Sequence, residues 1–293
     1  MNEITWLGQY EEDGEVAFRL GRAGDELVAE WLGIATLRAS VTTRAHRFEP
    51  APDADPVTVE KVRASVARAL LRHLEHKLTL HGSAFTEHGR AIAVVGQSGA
   101  GKSTLSAAIA RAPGVGFAAD DTIALELDDA VRLVPTETVS WLLPDAQRAV
   151  GAMVGEGKHP IAAPALAEPA PLAAIVVPTF HEGAGAVTLE RLRGAAVLSA
   201  LVPCVVRFVI DDPRVHMREL DQLERVVRSV PVYGLSRPRD LARIGESVRA
   251  ARALLVDPVM PGPGPLRPSS IAASRPPQTC TRACSTARWS SST

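Results

Sequence analysis

Cysteine and lysine are both scarce in this sequence of 293 residues. Three cysteines occur, Cys204 in an apolar stretch and Cys280 and Cys284 near the end of the chain. So few cysteines exclude a disulfide-rich scaffold, and a cytoplasmic location is therefore expected. Cys280 and Cys284 have no second pair of ligands near them in the sequence, so a zinc site is not expected either. Only four lysines stand beside 28 arginines. A motif that requires lysine is therefore less easily met by chance.

Long hydrophobic runs and an excess of one charge are also missing. No apolar run approaches the roughly 18 residues that a membrane helix needs. The first 15 residues hold five acidic and no basic side chains, which does not fit a signal peptide. The chain has 33 acidic and 32 basic side chains, and four of the arginines lie in residues 261–293, which hold no acid. The remainder is net acidic, so neither a membrane nor a nucleic acid is an expected partner.

Three regions differ in sequence pattern. Residues 1–55 contain short strands bounded by glycines, which predicts a strand-rich segment packed on the core. Residues 56–258 alternate strands and helices in the order of an α/β nucleotide-binding domain, with an irregular, mobile connector expected over 140–170. Residues 259–293 are rich in proline, serine and arginine without apolar periodicity, and this tail is expected to be disordered.

Local patterns predict the individual elements of the α/β region. Helices are predicted over 56–77, 104–111, 194–201, 214–229 and 239–255. Strands are predicted over 78–85, 91–95, 122–127, 131–134, 172–177 and 187–192. The strand that ends at Val95 leads directly into a glycine-rich loop.

This loop carries the clearest functional motif. Gly96-Gln97-Ser98-Gly99-Ala100-Gly101-Lys102-Ser103 satisfies the G-x-x-x-x-G-K-[ST] pattern of a Walker A phosphate-binding loop, or P-loop. Its glycines let backbone N–H groups face a phosphate, its lysine neutralises phosphate oxygens, and its serine hydroxyl reaches Mg²⁺. The sequence therefore predicts ATP and Mg²⁺ as cofactors, with the nucleotide bound by Gly96, Gln97, Ser98, Gly99, Ala100, Gly101, Lys102, Ser103 and Thr104.

A P-loop alone does not name a reaction. The N-K-x-D signature of guanine recognition and the L-S-G-G-Q signature of transporter ATPases are both missing. Asp211 and Asp212 follow an apolar run that resembles a Walker B strand, but Arg207 interrupts it, so we interpret them as strand-end and helix-cap residues. Lys158 lies in a glycine-flanked loop and is interpreted as a solvated lysine rather than as part of a lid.

An acidic pair lies closer to the P-loop. Asp120 and Asp121 follow residues 116–119 and precede the apolar residues 123–125. If a strand ends there beside the phosphates, one carboxylate can hold Mg²⁺ through water while the other accepts a proton. The same pair could simply cap a turn. The pattern by itself leaves both interpretations open.

Three motifs occur together in this sequence: the pair His81-Gly82, a P-loop of the form G-x-S-G-x-G-K-S, and Ala119-Asp120-Asp121. In this combination they resemble the catalytic domain of HPr kinase/phosphorylase and its smaller bacterial relatives, which include lasso-peptide kinases of ribosomal-peptide maturation. His81 lies 21 residues before Lys102, and Asp120 lies 18 after it. Both spacings fit the family, and the specific similarity covers about residues 78–128.

The resemblance implies a phosphoenolpyruvate-carboxykinase-like P-loop fold, which is an α/β fold with a mixed sheet and flanking helices. It also implies a kinase that transfers the γ-phosphoryl group of ATP to a serine or similar hydroxyl of a peptide or protein. In that family pattern Asp120 is the proton acceptor, His81 and Lys102 are further catalytic residues, and Ser103 and Asp121 hold Mg²⁺. The arginine- and glycine-rich segment of the bifunctional enzymes is missing, so phosphorylase activity is not expected.

Other interpretations stay open at this point. The chain could be a non-catalytic ATP-binding partner of a biosynthetic complex, or a small-molecule kinase on the same fold. Asp120 distinguishes a kinase from a non-catalytic ATP-binding partner, because only the kinase needs a proton acceptor. His81 lies beside an apolar strand, where histidines often make only structural hydrogen bonds. A homo-oligomer is also compatible with the sequence.

Overall fold

The protein is described here from a computed structural model, which covers residues 3–136, 139–151, 159–162, 168–183, 185–208 and 212–256. The predictions made for Lys158, Asp211, Cys280, Cys284 and the 259–293 tail fall outside these residues. Within them, no helix has both the length and the apolar character that crossing a bilayer requires.

Residues 5–50 form an antiparallel sheet of five strands, in which each strand pairs with the next. The strands are β1 (Thr5–Glu12), β2 (Glu15–Ala23), β3 (Glu26–Trp31), β4 (Ala35–Ser40) and β5 (His46–Pro50). In β4 every second residue is buried, and Leu37 lies in one apolar cluster with Leu70 of the following helical segment. The prediction of short strands is confirmed.

The helical segment contains α1 (Pro56–Val62), a π-helical turn (Arg63–Ala67) and α2 (Arg68–Leu74). The Asp55 carboxylate accepts the backbone N–H groups of Val57 and Thr58, at 3.4 and 2.9 Å. Pro56 occupies the first helical position, where no N–H is needed. The helix predicted over 56–77 is therefore confirmed, although it ends at Leu74 and a π-helical turn interrupts it.

A mixed sheet forms the centre of the α/β region. Its strands are β6 (Thr79–Glu87), β7 (Arg90–Val95), β8 (Val115–Ala119), β9 (Thr122–Leu127), β10 (Val131–Val134), β13 (Ala170–His181), β14 (Thr188–Arg191) and β15 (Val232–Pro238). Strands β6 and β7 form a hairpin, and β7, β13 and β15 are parallel neighbours. Because β10 pairs with both β9 and β13, the strands β10, β9, β6, β7 and β13 close into a ring.

Helices cover both faces of this sheet. They are α3 (Lys102–Ala110), α5 (Ala195–Leu201), α6 (Pro213–Ser229) and α7 (Ile244–Val256). Ile92 and Val94 of β7 share an apolar cluster with α3 and α7, whereas Val95 shares another with α5 and α6. Alternate residues of a strand point to opposite faces, so the sheet separates two cores. Asp212 caps α6 by accepting the backbone N–H of Arg214 at 2.8 Å, as predicted.

The expectation of an irregular connector over 140–170 is wrong for the part that the structure describes. This region contains β11 (Val139–Leu142), α4 (Pro144–Ala149) and β12 (His159–Ala162), and β11 pairs with β12. Leu142, Ala146 and Val150 are buried in one cluster with Ala107 of α3. Apolar contacts with α3 therefore hold residues 142–150, for which the sequence predicted no regular structure.

Candidate active site

The three predicted motifs meet at one edge of the mixed sheet. β7 runs into the P-loop, and its last residue, Val95, pairs with Gly82 near the start of β6. β9 begins at the same place, with Thr122 opposite His81. β13 and β15 run parallel to β7, so their carboxyl ends also lie at this edge, where α/β sheets commonly bind ligands. The fold therefore brings together His81, the P-loop and the Asp120-Asp121 pair.

The P-loop has the backbone conformation that an anion site requires. Gly99 and Gly101 have φ values of 79° and 77°, in the left-handed region that favours glycine. Gly101 is the N-cap of α3, and no side chain caps the helix there. The first N–H groups of a helix carry partial positive charge and bind phosphate readily. The backbone therefore fits the polyphosphate of a nucleotide.

Lys102 lies across this loop rather than extending into solvent. Its Nζ donates to the carbonyl oxygen of Gln97 at 2.9 Å, and only 7% of the residue is exposed. The backbone N–H of Ala100 donates to the same carbonyl at 3.3 Å. Ser103 and Thr104 follow in the first turn of α3 and are half-buried. The loop thus holds a buried ammonium group beside the helix N-terminus, where phosphate oxygens would bind.

A buried contact fixes α3 against β6. The hydroxyl groups of Ser83 and Ser106 are 2.7 Å apart, and both residues are fully buried. Because α3 carries Lys102 and β6 carries His81, this hydrogen bond ties the P-loop to the strand of the histidine.

The acidic pair lies in a kink between two consecutive strands. β8 and β9 both pair with β6, and Asp120-Asp121 interrupts the run between them. Asp121 has a φ of 95°, and the N–H of Thr122 donates to the carbonyl of Asp120 at 2.8 Å. A three-residue turn with a positive central φ is rare and strained. The sequence placed the acidic pair at the end of a strand. The structure instead places it in a strained turn between β8 and β9, which both pair with β6.

The two carboxylates have different surroundings. Asp120 is 1% exposed, and its Oδ2 accepts the backbone N–H of Trp141 at 2.7 Å and the hydroxyl of Ser140 at 3.4 Å. Both donors belong to β11, which therefore covers Asp120. Asp121 has 22% of its side chain exposed and lies beside His81. In this structure Asp121 is thus the more accessible carboxylate.

His81 contacts the turn through its ring. Its Nδ1 lies 2.9 Å from the carbonyl oxygen of Asp121 and 3.6 Å from Oδ1 of the same residue. A carbonyl oxygen can only accept a hydrogen bond, so Nδ1 is the donor in the shorter contact. His81 therefore holds the strained turn from the side of β6.

The oxygen donors present fit Mg²⁺ bound together with a nucleotide. Among the described residues, no three His, Cys, Asp or Glu side chains gather into a metal site. Nucleotide-bound Mg²⁺ does not need such a group, because phosphates and water supply most of its ligands beside one or two protein oxygens. The Ser103 hydroxyl and the Asp121 carboxylate are donors of this type.

No sequence pattern marked Arg237, which the structure places against the P-loop. Arg237 lies near the carboxyl end of β15, is 3% exposed, and donates from Nη2 to the carbonyls of Ala100 and Gly101 at 3.1 and 3.3 Å. Its guanidinium carbon lies 4.7 Å from the ring centroid of Phe180. The only sequence signal is an arginine that follows the apolar start of a strand, and no spacing rule connects it to a loop 137 residues away.

Comparisons with known proteins add little to this geometry. No protein-family model matches the sequence, and no curated protein matches it. Among solved structures, the chain is similar to the HPr(Ser) kinase/phosphatase from Coxiella burnetii, with a TM-score of 0.32 and 12% sequence identity. The match covers 61% of this chain and 97% of that one. A superposition with so low a TM-score carries no argument about fold or function.

Proposed function

We propose that this protein is a cytoplasmic, ATP-dependent kinase of the HPr-kinase-like type, with a phosphoenolpyruvate-carboxykinase-like P-loop fold. Its proposed substrate is a serine or similar hydroxyl of a peptide or protein. The observation that carries the proposal is the juxtaposition of a P-loop with the strained Asp120-Asp121 turn held by His81 and Gly82. Backbone strain of this kind persists mainly at functional sites, and a loop that only binds phosphate does not require an acidic turn beside it.

The P-loop and its neighbours supply positioning and charge neutralisation, which account for most of the catalysis of phosphoryl transfer. In the proposed complex, the backbone N–H groups of the loop and the Lys102 ammonium bind the β- and γ-phosphate oxygens. Ser103 and Asp121 hold Mg²⁺, which neutralises charge that develops on the transferred group. His81 keeps the Asp121 backbone in place.

Asp120 is the proposed proton acceptor, and its burial has a consequence for the reaction. A general base must come within hydrogen-bond distance of the hydroxyl that it deprotonates. Asp120 is only 1% exposed, and β11 donates to its Oδ2. An acceptor hydroxyl can therefore reach this carboxylate only after the residues that cover it, β11 among them, have moved. If β11 stays in place, Asp121 is the carboxylate that can reach the hydroxyl.

The test is transfer from ATP labelled at the γ-phosphate in the presence of Mg²⁺. Candidate acceptors are serine-containing peptides and proteins encoded beside the gene, and mass spectrometry locates the phosphate. Label on serine with the unchanged protein, and none with an Asp120→Asn, Asp121→Asn double variant, supports the proposal. ATP binding without any transfer indicates a non-catalytic nucleotide-binding partner, and label on a small molecule indicates a small-molecule kinase.

A further inference from the structure

Arg237 is a buried cation without a carboxylate partner among the described residues. Its guanidinium is held by the two P-loop carbonyls and by the ring of Phe180, and its Nε has no hydrogen-bond partner in that part of the chain. A buried charge without a counter-ion is destabilising, and proteins keep such local costs mainly at functional sites.

The two hydrogen bonds reach successive peptide groups of the P-loop. The Gly101 carbonyl also accepts the backbone N–H of Leu105 at 3.0 Å, so α3 shares in its orientation, whereas the Ala100 carbonyl depends on Arg237. In a planar trans peptide the N–H points away from the C=O. With the carbonyls of Ala100 and Gly101 directed at Arg237, the N–H groups of Gly101 and Lys102 are directed to the opposite side. These N–H groups lie where the loop meets the N-terminus of α3, which is the part that binds phosphate in a P-loop.

Glycine at position 101 permits both the contact with Arg237 and the backbone conformation of the loop. A Cβ on residue 101 would lie 2.1 Å from Nη2 of Arg237 and 3.4 Å from Cζ of Phe180. Its φ of 77° also disfavours any other residue. The glycine of the motif and the arginine of β15 are therefore matched to each other.

We propose that Arg237 is a positioning residue of the P-loop, which together with the first turn of α3 fixes the peptide groups of residues 100–102 in the orientation that binds the polyphosphate of a nucleotide. Its charge, which no described carboxylate neutralises, adds to that of Lys102 in attracting this anion. The inference rests on the proposed nucleotide-binding function, and it is tested both without and with a ligand.

The first experiment uses the full chain without nucleotide. Arg237→Met keeps an apolar chain over Phe180 but removes the donors, and Arg237→Lys keeps the charge. Arg239→Gln is the matched control, because Arg239 also lies 4.7 Å from the Phe180 ring centroid but is exposed and makes no hydrogen bond to the P-loop among the contacts described. Amide hydrogen exchange over residues 96–104 should accelerate about tenfold or more in Arg237→Met, less in Arg237→Lys, and not in Arg239→Gln.

The second experiment measures affinity by calorimetry, with Mg·ATP and with Mg·tripolyphosphate, a probe that has the phosphates of the nucleotide but no nucleobase. Arg237→Met should weaken both by about tenfold or more, and Arg237→Lys should recover part of the loss. Melting temperatures and exchange in the sheet, measured in parallel, separate a local effect from general unfolding.

Two outcomes would overturn the inference. One is P-loop exchange that is the same in Arg237→Met as in the unchanged protein. The other is an equal loss of affinity in Arg237→Met and Arg239→Gln, which would assign the effect to Phe180 rather than to the P-loop carbonyls. If the unchanged protein binds no Mg·ATP, the proposed function fails, and the exchange experiment still decides the role of Arg237.

Discussion

Asp121 and Gly82 exchange two backbone hydrogen bonds, from Gly82 N to Asp121 O at 3.1 Å and from Asp121 N to Gly82 O at 2.9 Å. This pairing holds Asp121 at its positive φ and brings its carboxylate beside His81. A side chain at position 82 would not fit, because a Cβ there would lie 2.6 Å from both Ile123 Cδ1 and the Val94 carbonyl oxygen. The glycine that follows His81 is thus required by the packing of β6 between β7 and β9, next to the acidic turn.

We therefore expect Gly82→Ala to destabilise the protein. The added methyl group meets the backbone of β7, which cannot move without breaking the sheet, so the free energy of unfolding should fall by about 3 kcal/mol. Gly234→Ala in β15 is the control, since its Cβ would first meet the Leu192 side chain at 3.3 Å, and it should cost about 1 kcal/mol or less. Urea unfolding compares the two variants, and equal losses would contradict the packing argument.

Lys102→Ala should weaken the binding of Mg·ATP. The ammonium group is buried at the phosphate loop, and loss of a charge-assisted contact costs on the order of 2 kcal/mol, or about a thirtyfold higher Kd. Lys77→Ala is the matched control, because Lys77 is exposed and pairs with Glu75 at 3.0 Å. Calorimetry measures both, and unchanged affinity in Lys102→Ala would exclude the P-loop assignment.

The acidic pair should show a division of roles. Asp120→Asn keeps an oxygen that can accept the Trp141 N–H, so we expect the variant to fold and bind ATP while phosphoryl transfer falls by roughly 10² to 10⁴. Asp121→Asn should instead raise the Mg²⁺ concentration needed for half-maximal transfer. Rates measured across a magnesium titration compare the variants.

The same titration can reverse the assignment of these residues. If Asp121→Asn abolishes transfer at every magnesium concentration and Asp120→Asn retains it, Asp121 is the base and Asp120 only anchors β11. Unfolding curves of both variants show whether a loss of stability accounts for a loss of rate.

Cys204 should make stability depend on alkaline pH. Burial raises the pKa of its thiol from 9.0 to about 11, against a smaller opposing effect of Lys102. Below pH 9 the thiol is protonated in both states and stability is unaffected. Between pH 9 and 11 only the unfolded chain loses the proton, so the free energy of unfolding should fall by roughly 1.4 kcal/mol per pH unit. Urea unfolding of the protein and of Cys204→Ala, which should lack this contribution, tests the expectation, and identical slopes would contradict it.

Much of the local structure was predictable because it depends on neighbouring residues. The P-loop pattern, the Asp55-Pro56 helix start and the period of buried residues in the strands are set by contacts within a few positions. The strand predictions for 122–127 and 131–134 agree with β9 and β10. Asp212 as a helix cap was predictable for the same reason, whereas the roles of His81, Asp120 and Asp121 stay predictions.

The environment of each site residue was decided by tertiary contacts between distant parts of the chain. Asp120 is buried because β11, 20 residues later, donates two hydrogen bonds to it, and the sequence of β11 favoured a loop. The P-loop is held by Arg237, 137 residues from Ala100, since β15 runs parallel to β13 and β13 to β7. Local sequence determines which residues form a strand or a phosphate loop. The order of the strands determines which distant side chains contact that loop, because strand pairing depends on the packing of the whole sheet.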